Sequence, residues 1–348
     1  MDIRIGIIGA GENTRLKHIP LLQKIEGVQI VAISNRSMAS AQKVCDQFNI
    51  ANAYDDWQKI IHDPTIDAVL IGTWPNMHKL LTCEALKAGK HVLCEARMAR
   101  DLAEAREMLD ESHLRPSQIA QIVPAPFTLK YDTEIIKLIG NNFFGDILAV
   151  NGRFNFNTFL DADAPMHWRE NRDISGNNIM LMGILYESMS RWLGPAKSVI
   201  ASGKIFSSLK DYNGKARPVD IPEHLNILAQ VDNGVEAHLQ FSSVTALEDC
   251  PQSIWIFGSN GTAHLDLKND QLLLGKKGDT ELQLHNFTPP ADAIWRVEEE
   301  FINAIRGTEK INLTDFDTAF QYMKFTEAVT LSLQEDKRIH LSNLGTLL

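Results

Sequence analysis

No run of about 18 apolar residues occurs in this chain, so no segment of it is expected to cross a bilayer as a helix. Cations are also scarce: 34 Lys and Arg stand against 44 Asp and Glu, for a formal net charge of −10. Nucleic acid is therefore not expected as a partner, because phosphate recognition needs clustered Lys and Arg, and neither is an anionic membrane surface. Cys45, Cys83, Cys94 and Cys250 show no C-x-x-C spacing. A disulfide frame and a structural zinc are thus unexpected, and the thiols read as reduced cytoplasmic ones. An apolar run begins at Ile3, which leaves no room for a signal peptide. What remains is a globular composition, 44% hydrophobic and 22% charged, in 348 residues. That length exceeds what one core usually organises, so two domains are expected.

Ile3 to Ile8 is a short apolar run that ends in Gly9-Ala10-Gly11-Glu12-Asn13-Thr14-Arg15. A strand that runs into a glycine turn and then a helix is the setting of a dinucleotide-binding loop. Gly9 permits the tight turn, and Gly11 lets a pyrophosphate approach the backbone. The helix from about Arg15 would turn its free N–H groups to the phosphates. The third glycine position of that fingerprint holds Thr14.

A second strand, Val28 to Ser34, ends in Ser34-Asn35-Arg36. An acidic residue there would hold a ribose 2′-hydroxyl and repel a 2′-phosphate. Neutral Asn35 followed by Arg36 tilts the expectation to NADP(H) over NAD(H), unless Arg36 is a solvated helix-start residue. Helices are expected over Ala41 to Phe48, Trp57 to His62 and Leu80 to Ala88, with further strands over Ala68 to Gly72 and His91 to Cys94. This alternation predicts an α/β fold with a doubly wound parallel sheet, whose ligand lies at the carboxyl ends of the strands. Gly9, Asn35, Thr73 and Glu95 all sit at such ends.

After Gln121 the pattern changes to longer alternating segments: Ile147 to Phe156, Ser198 to Ile205, Leu225 to Val231, Val235 to Ser243, Ser253 to Phe257 and Thr262 to Leu267. Asp232-Asn233-Gly234 and Ser259-Asn260-Gly261 read as hairpin turns. An amphipathic helix is expected over Trp295 to Ile305, and another over Gly176 to Leu193. On the latter, Asn177, Asn178, Leu181, Leu185 and Ser188 would share a face.

These pieces resemble the Gfo/Idh/MocA family of glucose–fructose oxidoreductase and inositol dehydrogenase relatives. The resemblance is carried by Gly9-Ala10-Gly11, His18-Ile19-Pro20, Asn35-Arg36, Thr73 through His78 and Gly89 through Glu95. Further along it is carried by Trp168-Arg169, Gly183-Ile184, Arg191-Trp192-Leu193 and Phe257 through Thr262. It implies an NAD(P)-binding Rossmann domain over residues 1–120. Residues 121–348 would form an α+β substrate-binding domain with a large, mostly antiparallel open sheet, through which a homodimer or homotetramer forms. The cofactor-binding set implied is Gly9, Gly11, Asn13, Thr14, Arg15, Ser34, Asn35, Arg36, Thr73, Trp74, His78 and Glu95.

The chain departs from the family where the chemistry is done. The family triplet after the fifth strand is Glu-Lys-Pro, whose lysine transfers the proton; here it is Glu95-Ala96-Arg97. The family's paired aspartate and histidine fall on Leu181 and Leu185. Candidate replacements are Tyr186, as a proton donor or else a core ring with a satisfied hydroxyl, and His167, as an acid/base near neutrality or else a loop histidine. Arg97, Trp168, Arg169, Asn177 and Asn178 are candidate substrate contacts, His224 is a further second-domain candidate, and Glu187 is expected to pair with Arg191 at i,i+4. The leading reading is an NAD(P)-dependent oxidoreductase acting on a sugar, cyclitol or related polyol, with non-standard acid/base residues. The alternatives are a glycoside-cleaving or eliminating enzyme that uses tightly held NAD(P) for transient oxidation, and a cofactor-binding sensor without turnover.

Overall fold

The computed structural model describes residues 2–231, 234–290, 293 and 295–345. It divides into two compact units, Met1–Pro124 with Arg296–Met323, and Ala125–Trp295 with Lys324–Leu348. The first unit thus takes in a C-terminal return of the chain beyond the segment 1–120. No described helix is long and apolar enough to cross a membrane, and all four cysteines are free thiols.

The first unit is built on six parallel strands: β1 (Ile3–Ile8), β2 (Val28–Ser34), β3 (Asn52–Tyr54), β4 (Ala68–Ile71), β5 (His91–Cys94) and β6 (Ala120–Ile122). Their order is β3-β2-β1-β4-β5-β6. It reverses between β1 and β4, which is where a doubly wound sheet opens a crevice for ligand. A parallel sheet with helices on both faces has no room for polar strand residues; Ala68, Val69, Leu70 and Ile71 are each at most 1% exposed.

After β1 the chain makes a wide π-helical turn, Thr14–His18, and continues into α1 (Ile19–Leu22). The remaining helices of this unit begin where capping chemistry puts them. Ser37 caps α2 (Met38–Phe48) by accepting the Ser40 N–H, three residues earlier than the apolar periodicity suggested. Pro75 is the first residue of α4 (Pro75–Lys87), which follows the short α3 (Gln58–Ile61). The motif Asn76-Met77-His78 is therefore helical, not part of a loop. Asp101 caps α5 (Leu102–His113) at the Glu104 N–H.

The second unit opens with α6 (Leu129–Gly140) and carries a nine-stranded, mixed but mostly antiparallel sheet, as the resemblance implied. Its strands include β7 (Ile147–Asn155), β8 (Ala196–Lys204), β11 (His224–Val231), β12 (Glu236–Ser242), β13 (Gln252–Gly258), β14 (Gly261–Asp266) and β15 (Gln271–Lys276). A separate hairpin pairs β9 (Leu209–Tyr212) with β10 (Lys215–Pro218). The turn Ser259-Asn260 joins β13 to β14 as expected; the turn expected at Asp232-Asn233 lies outside the described residues. One sheet face packs inward, with Val150, Ile227, Leu239 and Ile254 each at most 1% exposed. The other presents a register row: Leu228 pairs His238, His238 pairs Asn151, Asn151 pairs Trp255, Trp255 pairs His264 and His264 pairs Leu273. Leu228 is 50% exposed on that row, and the Trp255 and His264 rings stack 3.9 Å apart.

The expected helix Gly176–Leu193 is shorter at its start. Gly176, at φ +64°, ends the short α7 (Arg172–Ser175). Met180 is left-handed, and α8 runs only over Met182–Leu193. Asn177 and Asn178 therefore do not share a helix face with Leu185 and Ser188. On α8 the expected ion pair forms, with Arg191 reaching Glu187 at 2.9 Å.

Candidate functional site

In the first unit, the ends of β1, β2, β4 and β5 bring Gly9, Asn35, Thr73 and Glu95 to one edge of the sheet. Gly9 holds φ +87°, and a Cβ there would lie 2.6 Å from Thr73 Cγ2. A Cβ on Gly72 would lie 2.2 Å from the Gly9 carbonyl and 2.3 Å from Thr14 Oγ1. This explains why Thr14 is tolerated at the third fingerprint position. The close packing that a glycine would allow on the helix is supplied by Gly72 on the facing strand end. Gly11, by contrast, has only the Gly72 carbonyl near its absent Cβ, at 3.7 Å, so its backbone is open to a ligand. The loop is braced by Asn35, whose Oδ1 accepts the Ala10 N–H at 2.8 Å. Arg36 is exposed, with its guanidinium 4.7 Å from the centre of the Trp74 ring. Ser34 is buried, its carbonyl accepting the Gly9 N–H, and Arg15 donates to the Gly11 carbonyl. Open backbone at Gly11 beside exposed cation and aromatic ring fits a dinucleotide phosphate and its adenosine end.

Glu95 is the centre of a charged network. Its Oε1 accepts from the exposed Asn13 amide and lies 3.0 Å from His18 Nε2. The other ring nitrogen of His18 lies 2.5 Å from Glu298 Oε1, on α9 (Val297–Ile305) of the returning segment. The His18 side chain is fully buried and Glu298 is 2% exposed, while Glu95 keeps 15%. Burial disfavours a charged imidazole, but the hydrogen bonds and charges of Glu298 and Glu95 outweigh it and raise the His18 pKa from 6.5 to about 9. Burial would likewise raise Glu95, yet His18 and Asn13 hold it below the usual carboxylate range. His18 is thus an imidazolium that ties the glycine turn, the β5 end and α9 together. Its role was not legible locally, since its partner Glu298 is 280 residues away.

Next to Glu95, Ala96 offers only a methyl group, and the Ala96–Arg97 peptide is cis. Arg97 is 1% exposed, so its side chain does not reach out as the substrate contact expected of it. His78 is buried between two carbonyls, Arg97 O at 2.8 Å from Nδ1 and Thr73 O at 3.0 Å from Nε2. It staples the β4 end to the β5 end and is walled off from solvent.

In the second unit, Tyr186 is 5% exposed, stacks on Phe325 at 3.7 Å, and its hydroxyl accepts the Ala196 N–H at 2.7 Å. It is a core ring and not an accessible proton donor. Asn178 is buried, donating to the Ser175 carbonyl. Asn177 is committed to Arg172 and Glu327. Leu185, on α8, is 1% exposed. His224 lies at the start of β11, 3.1 Å from the Asn226 amide. The stretch His167-Trp168-Arg169-Glu170 forms a tight turn, with the Arg169 guanidinium 4.3 Å from the centre of the Trp168 ring. Burial first, then the charges of Arg169 and Lys210, pull the His167 pKa down to about 4. His167 is therefore not the near-neutral acid/base that the sequence suggested.

Two outcomes follow. His18 has a folded pKa above its ordinary value, so the stability it contributes is complete below about pH 6.5 and is lost as pH rises through about 9. Thermal melts should fall across that window, and His18→Gln should flatten the fall; an unchanged pH dependence in the variant would contradict the ion-paired assignment. Tyr186→Phe removes one buried hydrogen bond and should cost about 1 kcal/mol of stability while turnover is kept; loss of turnover in a folded variant would return Tyr186 to the chemistry.

Residues 3–117 match the family described as an oxidoreductase family with an NAD-binding Rossmann fold. Residues 133–264 match the GFO/IDH/MocA C-terminal domain. An uncharacterised oxidoreductase of Rhizobium meliloti is 32% identical over 152 residues, covering 44% of this chain and 45% of that protein, so the chain spans under half the length of that relative. The myo-inositol 2-dehydrogenase of Thermotoga maritima is 26% identical over 76% of this chain and 75% of its own. Among solved structures, levoglucosan dehydrogenase in complex with NADH superposes with a TM-score of 0.86 at 18% identity, over 98% of this chain and 99% of that one; this likeness speaks to the fold. With both domain matches in tandem on one chain, the protein belongs to the Gfo/Idh/MocA family of oxidoreductases.

Proposed function

We propose that this protein is an NAD(P)-dependent dehydrogenase of a sugar, cyclitol or related polyol that works without the family lysine. The observation that carries the reading is the convergence of Gly9, Gly11, Asn35, Thr73 and Glu95 at the ends of parallel strands around the sheet's switch point. The bound dinucleotide supplies hydride transfer. Gly9 and Gly11 give the pyrophosphate access to the backbone, Asn13 and Thr14 hold the turn through Glu95 and the Gly9 carbonyl, and His78 fixes Thr73. The polyol substrate class comes from relatives such as the Thermotoga maritima inositol dehydrogenase.

Within this reading NADP(H) is favoured over NAD(H). Asn35 spends its side chain on the Ala10 N–H, so no carboxylate stands at the β2 end to repel a 2′-phosphate, and Arg36 is exposed beside it. Ala96 has no ionisable group and Glu95 is held ionised. General acid/base help worth roughly 10²–10⁴ in rate must therefore come from elsewhere or be forgone.

The first test is to denature purified protein, identify any released dinucleotide, and follow nicotinamide absorbance with a panel of sugars, inositols and their keto forms. Turnover with exchangeable cofactor is expected; no dinucleotide binding would overturn the reading. Arg36→Ala should weaken NADPH binding by about 10- to 100-fold, the worth of a charge-assisted hydrogen bond, and leave NADH binding nearly unchanged. Equal losses for both cofactors would overturn the NADP(H) preference.

We further propose a homodimer or homotetramer formed through the open sheet face of the second unit, where Leu228, Trp255 and Leu273 line one register row. Leu228→Asp should shift the sedimentation coefficient to that of a smaller species. A wild-type chain that sediments as a monomer would contradict this.

A further inference from the structure

The turn at His167 is built around a single state of one imidazole. The Arg169 N–H donates to His167 Nδ1 at 3.2 Å, so Nδ1 carries the lone pair and the neutral ring holds its proton on Nε2. The backbone N–H of His167 donates to Glu170 Oε2 at 2.8 Å. The other oxygen of Glu170 meets the ammonium of Lys210, on β9, at 2.8 Å, with these side chains 2% and 1% exposed. The imidazole lies near two aromatic rings, Phe159 at 5.7 Å and Trp168 at 5.6 Å, tilted against both. Lys210 lies over the other end of the same wall, 5.5 Å from the centre of Phe159. Among the described residues Nε2 has no hydrogen-bond partner, and it is not one of the polar atoms closed off from solvent.

We propose that His167 recognises a hydroxyl or carbonyl oxygen of the bound sugar or polyol. It does so as a neutral imidazole of fixed tautomer whose Nε2–H donates to that oxygen, with Glu170 and Lys210 as its positioning residues. The inference rests on the polyol-oxidoreductase reading for its ligand class. No proton changes hands. A donor-only edge near aromatic rings selects an acceptor oxygen and gives nothing to a group that must itself donate. Burial first, and then the positive charge of Arg169 and Lys210, keeps the ring from taking a second proton, and Glu170 is the carboxylate that balances Lys210.

The test is nitrogen-resolved NMR of the full chain carrying ¹⁵N-labelled histidine, with the His167 signals assigned by their loss in His167→Gln. The expected result is a proton on Nε2, a bare Nδ1, and no titration between about pH 5.5 and 8.5. Lys210→Met should raise the titration midpoint of His167, and Lys210→Arg should restore it if the methionine variant does not fold. A proton on Nδ1, or a midpoint near the ordinary histidine value, would overturn the proposal. With a polyol that the enzyme turns over, His167→Phe should raise KM tenfold or more with a smaller change in kcat, and His167→Gln, which keeps an N–H donor, should recover part of the loss. Unchanged KM in both variants would also overturn it. An enzyme that turns over no polyol fails the oxidoreductase reading, whereas the NMR state of His167 decides this one separately.

Discussion

A buried imidazolium holds the nucleotide-binding unit together. His18 stands between Glu298 and Glu95, and each of the three sits on a different piece of chain: the turn after β1, helix α9, and the end of β5. One fully buried positive charge between two carboxylates leaves each dependent on the others. Removing one partner of a buried pair strands the remaining charge at a cost of about 3–5 kcal/mol. The network thereby ties the glycine loop to the end of β5. Asn13 extends it to the surface.

The second constraint is steric. Gly9, Gly72 and Thr14 pack so closely that no Cβ fits at either glycine. In the usual fingerprint a third glycine on the helix makes that approach possible; here the small residue stands on the opposite wall. The geometry of the loop is kept while its sequence signature is altered. At the end of β5 Glu95 is followed by Ala96, whose side chain is a methyl. In the second unit Leu181 and Leu185 carry no ionisable group, and the turn at His167 is held by the buried Glu170–Lys210 pair.

Much of the fold was legible in the chain because the strands are short apolar runs closed by glycine or polar residues. Ile3–Ile8, Val28–Ser34 and His91–Cys94 fall where that pattern places them. Helix starts were less legible, since periodicity begins only after the cap: Ser37 and Pro75 start their helices before the first apolar repeat. The expected helix from Gly176 failed because Gly176 and Met180, both at positive φ, break it, and the helical spacing of Asn177, Asn178, Leu181, Leu185 and Ser188 cannot report that. The candidate site's local backbone was legible where a turn follows a strand end, at Gly9, Gly11 and Asn35. The rest was hidden where electrostatics act across the chain. His167, an acid/base candidate or else a loop histidine in the sequence, is pulled down by burial first and then by the charges of Arg169 and of Lys210 on another element, and His18 was only a motif residue until Glu298 closed the pair.

The account turns on the Glu95–His18 ion pair acting as one unit with the cofactor loop. The most direct test is a double-mutant cycle with Glu95→Gln, His18→Gln and the pair, read on NADPH affinity by nicotinamide fluorescence quenching. The single variants should each weaken binding, and the double variant should be little worse than either, which gives a coupling energy of about 1 kcal/mol or more. Losses that simply add, or single variants that bind NADPH as the wild type does, would show that the pair does not organise the cofactor site.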